Sequence, residues 1–301
     1  MAEFKNKNQN NLGIFLGFSG YLSFVLLDSI IKKYLVTTYS VFEINFFISL
    51  FTLIPIILTL FFLNSWHVLL NNKIHIQLLR GSLGMICGAL IINSFKQHSF
   101  SEIYPILFSA PLILTIFSYF FLKEKVGLRR LSAILLGFVG VLIVSRPGTV
   151  HFTWSLFGLF IAAIILATNI VIIRSLAKSQ SAIAFSFYGA IASLILSSAL
   201  TSRSFIYPSN NDLLIFLFCG IICGFAALCI SGASKLLESS LFAPIQYVQL
   251  AAGFIFGYLF FGDLPDFFEI LGSIVIIFSG LFIIYRQKKL GIKSFVKDQL
   301  N

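Results

Sequence analysis

Three charged side chains lie in or beside strongly apolar stretches, and each could do chemistry. Asp28 and Lys32 are four residues apart, and Glu43 begins the next apolar run. A carboxylate near the centre of a membrane-spanning helix costs about 2.5–3.5 kcal/mol, so each needs a reason. Asp28 could bind a proton or a cationic ligand, or it could pair with Lys32 one helical turn away. Glu43 could exchange a proton, or it could stabilise a helix N-terminus.

Uncharged polar side chains form a second candidate set. Gln246, Tyr247 and Gln249 fall within one helical turn just after Pro244. Three hydrogen-bonding groups so close together are unusual on a lipid-facing surface, so we expect them to face a cavity or another helix. Ligand contact and interhelix hydrogen bonding both remain open as their role. The same alternatives apply to four further residues in apolar runs: Asn93, Asn169, Tyr104 and Tyr188.

The histidines and cysteines form no pattern typical of an enzyme. The four histidines lie in or near the polar intervals, and Cys219 and Cys223 have C-x-x-x-C spacing without a histidine beside them. No metal set, nucleophile–base pair or ATP-binding loop emerges. We therefore expect no enzymatic activity, no cofactor and no metal, and we interpret the cysteines as buried packing residues.

The composition predicts a helical integral membrane protein. Apolar residues make up 58 % of the 301 residues, charged residues only 11 %, and the mean hydropathy is +0.98. The apolar runs are continuous, whereas membrane β-barrels alternate apolar and polar residues. The net charge of +10 is best explained by basic loops facing an anionic leaflet, with membrane lipid and no nucleic acid as partner.

Ten apolar runs are each about 20 residues long, the length that crosses a bilayer as a helix. The predicted spans are 12–31, 41–63, 79–96, 102–122, 130–146, 153–173, 182–201, 212–234, 240–261 and 268–285. With ten spans both termini share one side, which holds sixteen of the 21 lysines and arginines. The positive-inside rule then places both termini in the cytoplasm, in a multi-pass protein of the inner (cytoplasmic) membrane. Pro55 and Pro111 are predicted to kink two spans.

The two halves of the chain resemble each other. Pro105 lies nineteen residues before Glu124, and Pro244 lies nineteen before Asp263. The third and eighth spans also each carry a G-x-x-x-G pair, which allows helix backbones to approach closely. These pairs are Gly84/Gly88 and Gly220/Gly224.

An odd number of spans in each half makes the repeats inverted. The loop around Glu124 contains four basic residues, whereas the matching loop around Asp263 contains three acidic ones. Opposite charge in equivalent loops is expected if they lie on opposite sides of the membrane. The sequence thus predicts an all-α membrane fold of ten helices in two inverted five-helix repeats, residues 1–148 and 149–301. Such repeats are typical of secondary transporters with a binding site between the halves.

Three stretches resemble the EamA-type transporters of the drug/metabolite transporter superfamily. They are APIQYVQLAAGFIFGYLFFGDLPD at 243–266, FFLKEKVGLRRLSAILLGFVGVLIVSRPG at 120–148, and LLRGSLG at 78–84. The first stretch is also similar to the helix-nine pattern of S-adenosylmethionine uptake carriers of intracellular bacteria. The usual arginine of helix two is absent, since the position near Ile48 is apolar.

The resemblance implies a secondary transporter that moves a small metabolite by alternating access, S-adenosylmethionine or an amino-acid-like compound among the candidates. It implies a cavity lined by helices 1, 3, 4, 6, 8 and 9, and it allows a homodimer. Asp28, Lys32 and Glu43 are then the candidate coupling or charge-pair residues. An exporter of amphipathic drugs and a flippase of a lipid-linked substrate in the same superfamily remain the alternatives. A channel would show a ring-forming polar filter, which the sequence lacks.

Overall fold

The computed structural model describes residues 2–70, 73–121, 128–146, 153–176, 179–201, 205–237, 242 and 245–289. In this part of the chain the regular structure is helical, with no β-strand. The α-helices are α1 (Ala2–Ile30), α2 (Val41–Phe62), α3 (Ile74–Ser94), α4 (Phe100–Leu107), α5 (Ser109–Phe121), α6 (Leu128–Ser145), α7 (Trp154–Leu176), α8 (Ala182–Thr201), α9 (Asn210–Leu236), α10 (Val248–Phe261) and α11 (Phe267–Lys289). A π-helical segment, Ile31–Leu35, continues α1, and Trp66–Leu69 is a short 3₁₀ helix.

Seven helical stretches in the described residues are long and apolar enough to cross a membrane. They are Asn10–Leu35, Val41–Phe62, Ile74–Ser94, Phe100–Phe121, Trp154–Leu176, Ala182–Thr201 and Asn210–Leu236. Three shorter apolar helices, Leu131–Ser145, Val248–Phe261 and Phe267–Phe282, occupy the predicted fifth, ninth and tenth spans. The structure therefore confirms a multi-span helical protein. Glu124 and Pro244, two markers of the predicted repeat, lie outside the described residues.

Helix starts follow from local capping. The Ser40 hydroxyl accepts a hydrogen bond from the Glu43 amide, and the Glu43 carboxylate accepts one from the Ser40 amide. This capping box satisfies two amides that the first turn of α2 would otherwise leave unpaired. Asp266 and Glu269 exchange the same pair of bonds at the start of α11.

The two prolines that the sequence predicted to kink a span act differently. Helix α2 runs through Pro55 without interruption, whereas the Phe100–Phe121 span breaks into α4 and α5 at Phe108. Pro111 has no amide hydrogen to donate to the Leu107 carbonyl four residues earlier, and its ring crowds that carbonyl. The kink predicted at Pro111 is therefore present as a break in the helix.

Helices from the first half of the chain pack mainly against helices from the second half. The principal pairs are α1 with α9, α2 with α8 and α9, α3 with α7 and α8, α4 with α10, and α6 with α11. Each pair joins a helix before residue 147 to one after residue 152. The largest hydrophobic cluster of the described residues is thus shared between the halves, whereas a smaller one around Leu112 and Ile134 belongs to the first half alone.

Close helix approach is confirmed at both glycines of the Gly220/Gly224 pair, and in the other pair only at Gly88, where a Cβ would lie 3.0 Å from Asn45 Oδ1 of α2. A Cβ at Gly220 would overlap Phe51 of α2, and one at Gly224 would overlap Pro55. At Gly84, by contrast, the nearest atom to a Cβ would be 3.9 Å away. Helix α3 approaches its neighbour instead at Gly81, where a Cβ would lie 2.9 Å from the backbone of α8. The expectation for Gly84 was wrong because a glycine pair does not specify which face of the helix is packed.

We predict that Gly220→Ala lowers the free energy of unfolding by about 1–3 kcal/mol, because the added methyl group overlaps α2. Gly84→Ala is the matched control and should leave the melting temperature unchanged or slightly higher, since alanine favours the helix. Both are measured by thermal unfolding in detergent. Equal losses in the two variants would contradict the assignment of Gly220 to the close contact.

Candidate substrate site between the two halves

Polar side chains follow one face of α1 from the interior of the bundle to its end. Tyr21, Asp28 and Lys32 are spaced by seven and four residues, which places them on one side of a helix. The Tyr21 hydroxyl bonds to Gln246 Nε2 at 2.6 Å, and Asp28 Oδ2 accepts a hydrogen bond from the Tyr104 hydroxyl at 2.9 Å. Lys32 Nζ donates to the His98 carbonyl at 2.8 Å. This face of α1 contacts both halves of the chain.

Asp28 and Lys32 do not form the expected pair. The ion pair of Lys32 is with Asp263 Oδ2, at 3.7 Å, and its ammonium group lies over the rings of Phe100 and Phe261. Lys32 is part of the π-helical segment, which changes the angular spacing on which an i,i+4 pair depends. Among the described residues Asp28 therefore has a hydrogen-bond donor but no cationic partner.

The broken helix α4–α5 meets its counterpart from the second half at one aromatic contact. Phe108 and Tyr247 stack with ring centroids 5.4 Å apart and planes 19° apart. Each lies three residues after the proline that marks its repeat, Pro105 or Pro244. Phe108 separates α4 from α5, and α10 begins directly after Tyr247. Equivalent helix interruptions from the two halves thus touch each other, one turn from Tyr104.

The structure brings four predicted site residues to this region: Asp28, Tyr104, Gln246 and Tyr247. Gln246 is buried and bonded to Tyr21, which is the interhelix role left open by the sequence. The Tyr247 hydroxyl is buried without a hydrogen-bond partner. Gln249 is half-buried in the first turn of α10. The Tyr247 hydroxyl packs against Gly280 of α11, where any Cβ would overlap it.

The other predicted residues lie elsewhere. Tyr188 donates a hydrogen bond to the Leu69 carbonyl. Glu43 is fully buried, caps α2 and also accepts a hydrogen bond from the Ile206 amide, so its contacts are structural. Asn93 is exposed on α3, and Asn169 is half-buried with its Oδ1 unpaired.

Several contacting residues were not singled out by the sequence. His98 Nδ1 bonds to Glu102 at 2.6 Å, and its Nε2 lies 2.7 Å from the Thr153 hydroxyl and 2.9 Å from that of Ser155. The i,i+4 spacing of His98 and Glu102 was the available signal. Tyr21 and Phe108 carried no signal, since aromatic residues are frequent throughout this chain.

Segments 36–40, 95–99, 205–209 and 262–266 form one end of the bundle, which we call the Lys32 end. Ion pairs join the two halves of the chain at this end. Besides Lys32–Asp263, Arg146 contacts Asp266 and lies over the Phe268 ring. Burial alone would raise the pKa of Asp266. The hydrogen bonds that its carboxylate accepts, above all the one from Arg146, outweigh burial and hold this pKa below its ordinary value. Lys32 also lines a cleft of about 500 Å³ at this end, together with two further lysines, Lys33 and Lys96.

The part of the chain that the structure describes contains no cluster of three or more histidine, cysteine or acidic side chains that could hold a metal ion. Three of the cysteines, Cys87, Cys219 and Cys229, are buried, in keeping with packing roles.

Comparison with known proteins gives consistent matches along the chain. The model of the EamA-like transporter family matches twice, at residues 11–146 and 153–286. The chain is 27 % identical over 262 residues to the S-adenosylmethionine uptake transporter of Rickettsia felis, covering 87 % of this chain and 89 % of that protein. It is 26 % identical over 185 residues to a riboflavin transporter of Vibrio cholerae, covering 61 % and 62 % of the two chains.

Two further matches cover more of the chain. Solute carrier family 35 member G1 of Homo sapiens is 24 % identical over 287 residues, which are 90 % of this chain and 78 % of that protein. A crystal structure superposes with a TM-score of 0.69 over 94 % of this chain and 99 % of its own, at 14 % identity. At that identity the superposition supports the fold alone.

We predict that Lys32→Gln and Asp263→Asn are energetically coupled by about 0.5–1 kcal/mol, because the two side chains form a partly exposed ion pair. The free energy of unfolding of both single variants and the double variant is measured in mixed detergent micelles. The matched cycle uses Lys33→Gln with Asp263→Asn and should be additive. Equal coupling in the two cycles would contradict the Lys32–Asp263 contact.

Proposed function

Because the chain belongs to the EamA-like transporter family, we propose that it carries a small organic metabolite across the cytoplasmic membrane by alternating access. We propose S-adenosylmethionine, or an amino-acid-like compound, as the solute. The family and the relatives named above are transporters, so the protein is a membrane transporter and not an enzyme.

The proposed architecture is ten spans in two inverted repeats, residues 1–148 and 149–301, with both termini in the cytoplasm. The double match of the family model and the three shorter apolar helices support it. So does the pairing of helices across the halves, since repeats related by an in-plane axis pack in equivalent pairs. In this orientation the Lys32 end faces away from the cytoplasm.

The stack of Phe108 on Tyr247 is the observation that carries the proposal. Interrupted helices from two repeats, meeting inside the bundle, are the arrangement in which secondary transporters bind their solutes. Ion pairs and aromatic contacts hold the Lys32 end closed on one side of this point. Rocking of the halves about the stacked rings would break those contacts and open the site to the other side.

Asp28 favours a solute with a positive charge. Its carboxylate is held by the Tyr104 hydroxyl and has no cation beside it in the described residues, so a cationic solute would balance a charge that is costly inside a membrane. The aromatic rings of Tyr104, Phe108 and Tyr247 add surfaces on which a cation such as a sulfonium can rest. These residues, with Gln249, are the proposed solute contacts at this site.

We predict that Asp28→Asn lowers S-adenosylmethionine uptake into liposomes at least about tenfold, the loss expected when one charged contact of about 1.4 kcal/mol is removed. Asp212→Asn is the matched control, because Asp212 lies at the start of α9 and its carboxylate bonds to Ser209 and Tyr39. Its uptake should stay close to that of the unaltered protein. If the unaltered protein takes up no more S-adenosylmethionine than empty liposomes do, S-adenosylmethionine is not the solute. If the Asp28 variant takes up as much as the unaltered protein, Asp28 does not bind the solute.

A further inference from the structure

Arg80 is a charged residue within a membrane-spanning helix, and among the described residues no acidic side chain balances its charge. It lies in the second turn of α3, inside the Ile74–Ser94 span. One guanidinium nitrogen donates to the Phe185 carbonyl, and the group lies 5.6 Å from the centre of the Phe185 ring. No acidic side chain in the described ranges forms an ion pair with Arg80, and its Nε is buried without a partner. An isolated charge in such surroundings is costly unless an anion joins it.

Other unpaired polar groups lie along the same face of α3. Gln77, three residues before Arg80, is fully buried, and neither its oxygen nor its nitrogen is hydrogen-bonded. Gly84, four residues after Arg80, is exposed, and the nearest atom to a Cβ there would be Asn169 Nδ2 of α7. The Oδ1 of Asn169 is itself buried without a partner. Residues three and four apart share one helix face, so these groups flank the guanidinium.

A neighbouring helix makes room for the guanidinium. A Cβ at Gly189 of α8 would lie 2.7 Å from Arg80 Nη2, so any larger residue there would displace the charged group. Helix α3 ends at Ser94, directly before segment 95–99 of the Lys32 end. Arg80 lies fourteen residues earlier, about 20 Å along the helix, and therefore towards the opposite end of the bundle.

We propose that this groove, formed by Gln77, Arg80, Gly84 and Asn169, binds the carboxylate of the transported solute on its way between Asp28 and the cytoplasm. The idea rests on the proposed function. Arg80 supplies the countercharge through a charge-assisted hydrogen bond from Nε, the kind of contact in which arginine surpasses lysine. The amide nitrogens of Gln77 and Asn169 donate to the same anion. A positively charged solute that also carries a carboxylate is then recognised at both charges.

The first test compares S-adenosylmethionine with its decarboxylated form, which keeps the sulfonium and the amine. In phosphatidylcholine liposomes, Arg80→Gln should raise the KM for S-adenosylmethionine about tenfold while leaving that for the decarboxylated form within about twofold. Arg80→Lys should fall between, and the exposed Lys73→Gln should change neither. An equal effect on both solutes overturns the proposal. An effect found only when anionic lipid is added also overturns it, because the anion would then be a headgroup.

The second test needs no solute, so its failure is separate from failure of the proposed function. Gly84→Asp places a carboxylate one helical turn from Arg80 and imitates the bound anion. It should raise the melting temperature above that of the matched Gly84→Asn variant, and the difference should vanish when Arg80→Gln is added. If Gly84→Asp and Gly84→Asn have equal melting temperatures in the protein that keeps Arg80, the anion site is overturned. A difference without S-adenosylmethionine uptake supports the site and refutes only the proposed solute.

Discussion

A polar group inside a bilayer has no water to bond with and must find its partner in the protein. Along α1 this constraint is met residue by residue, since Tyr21, Asp28 and Lys32 each contact a group on another helix or loop. Those contacts draw α1, α4 and the region around Gln246 together. Where the constraint is not met, at Arg80, Gln77, Asn169 and the Tyr247 hydroxyl, the unpaired groups mark the surfaces on which we expect a solute to bind.

The same constraint explains why the halves are joined unevenly. Glycine-mediated contacts such as Gly220 on Phe51 hold helices together by close packing, which needs no polar partners. The ion pairs Lys32–Asp263 and Arg146–Asp266 join the halves at the Lys32 end, where they are partly exposed. Between the two lies the Phe108–Tyr247 stack, an apolar contact between two interrupted helices. In the alternating-access mechanism proposed above, the halves would separate at the Lys32 end while they stay in contact at the Phe108–Tyr247 stack.

The sequence predicted well what depends on composition and spacing. Helical class, membrane location, family and the repeat follow from apolar runs and from the Pro105 and Pro244 motifs, and the comparisons agree on the family. It predicted poorly which polar groups meet. The spacing offered Asp28 as a partner for Lys32 and gave no sign of Asp263, whose contact depends on the π-helical segment and on the approach of residues 262–266. Arg80, at the start of the predicted third span, carried no signal of its own, because nothing local in the sequence shows that α8 leaves space for it.

We propose that transport requires the halves to separate at the Lys32 end, so a cross-link across that end should block uptake. A Cβ at Gly257 would lie 3.7 Å from the Cβ of Phe100, a distance that suits a disulfide between α4 and α10. Phe100→Cys and Gly257→Cys are combined in a protein whose four native cysteines are replaced by alanine, with each single variant as control. Oxidation should abolish solute uptake by the double variant alone, and reduction should restore it. Undiminished uptake by the fully cross-linked protein would show that the halves need not separate there.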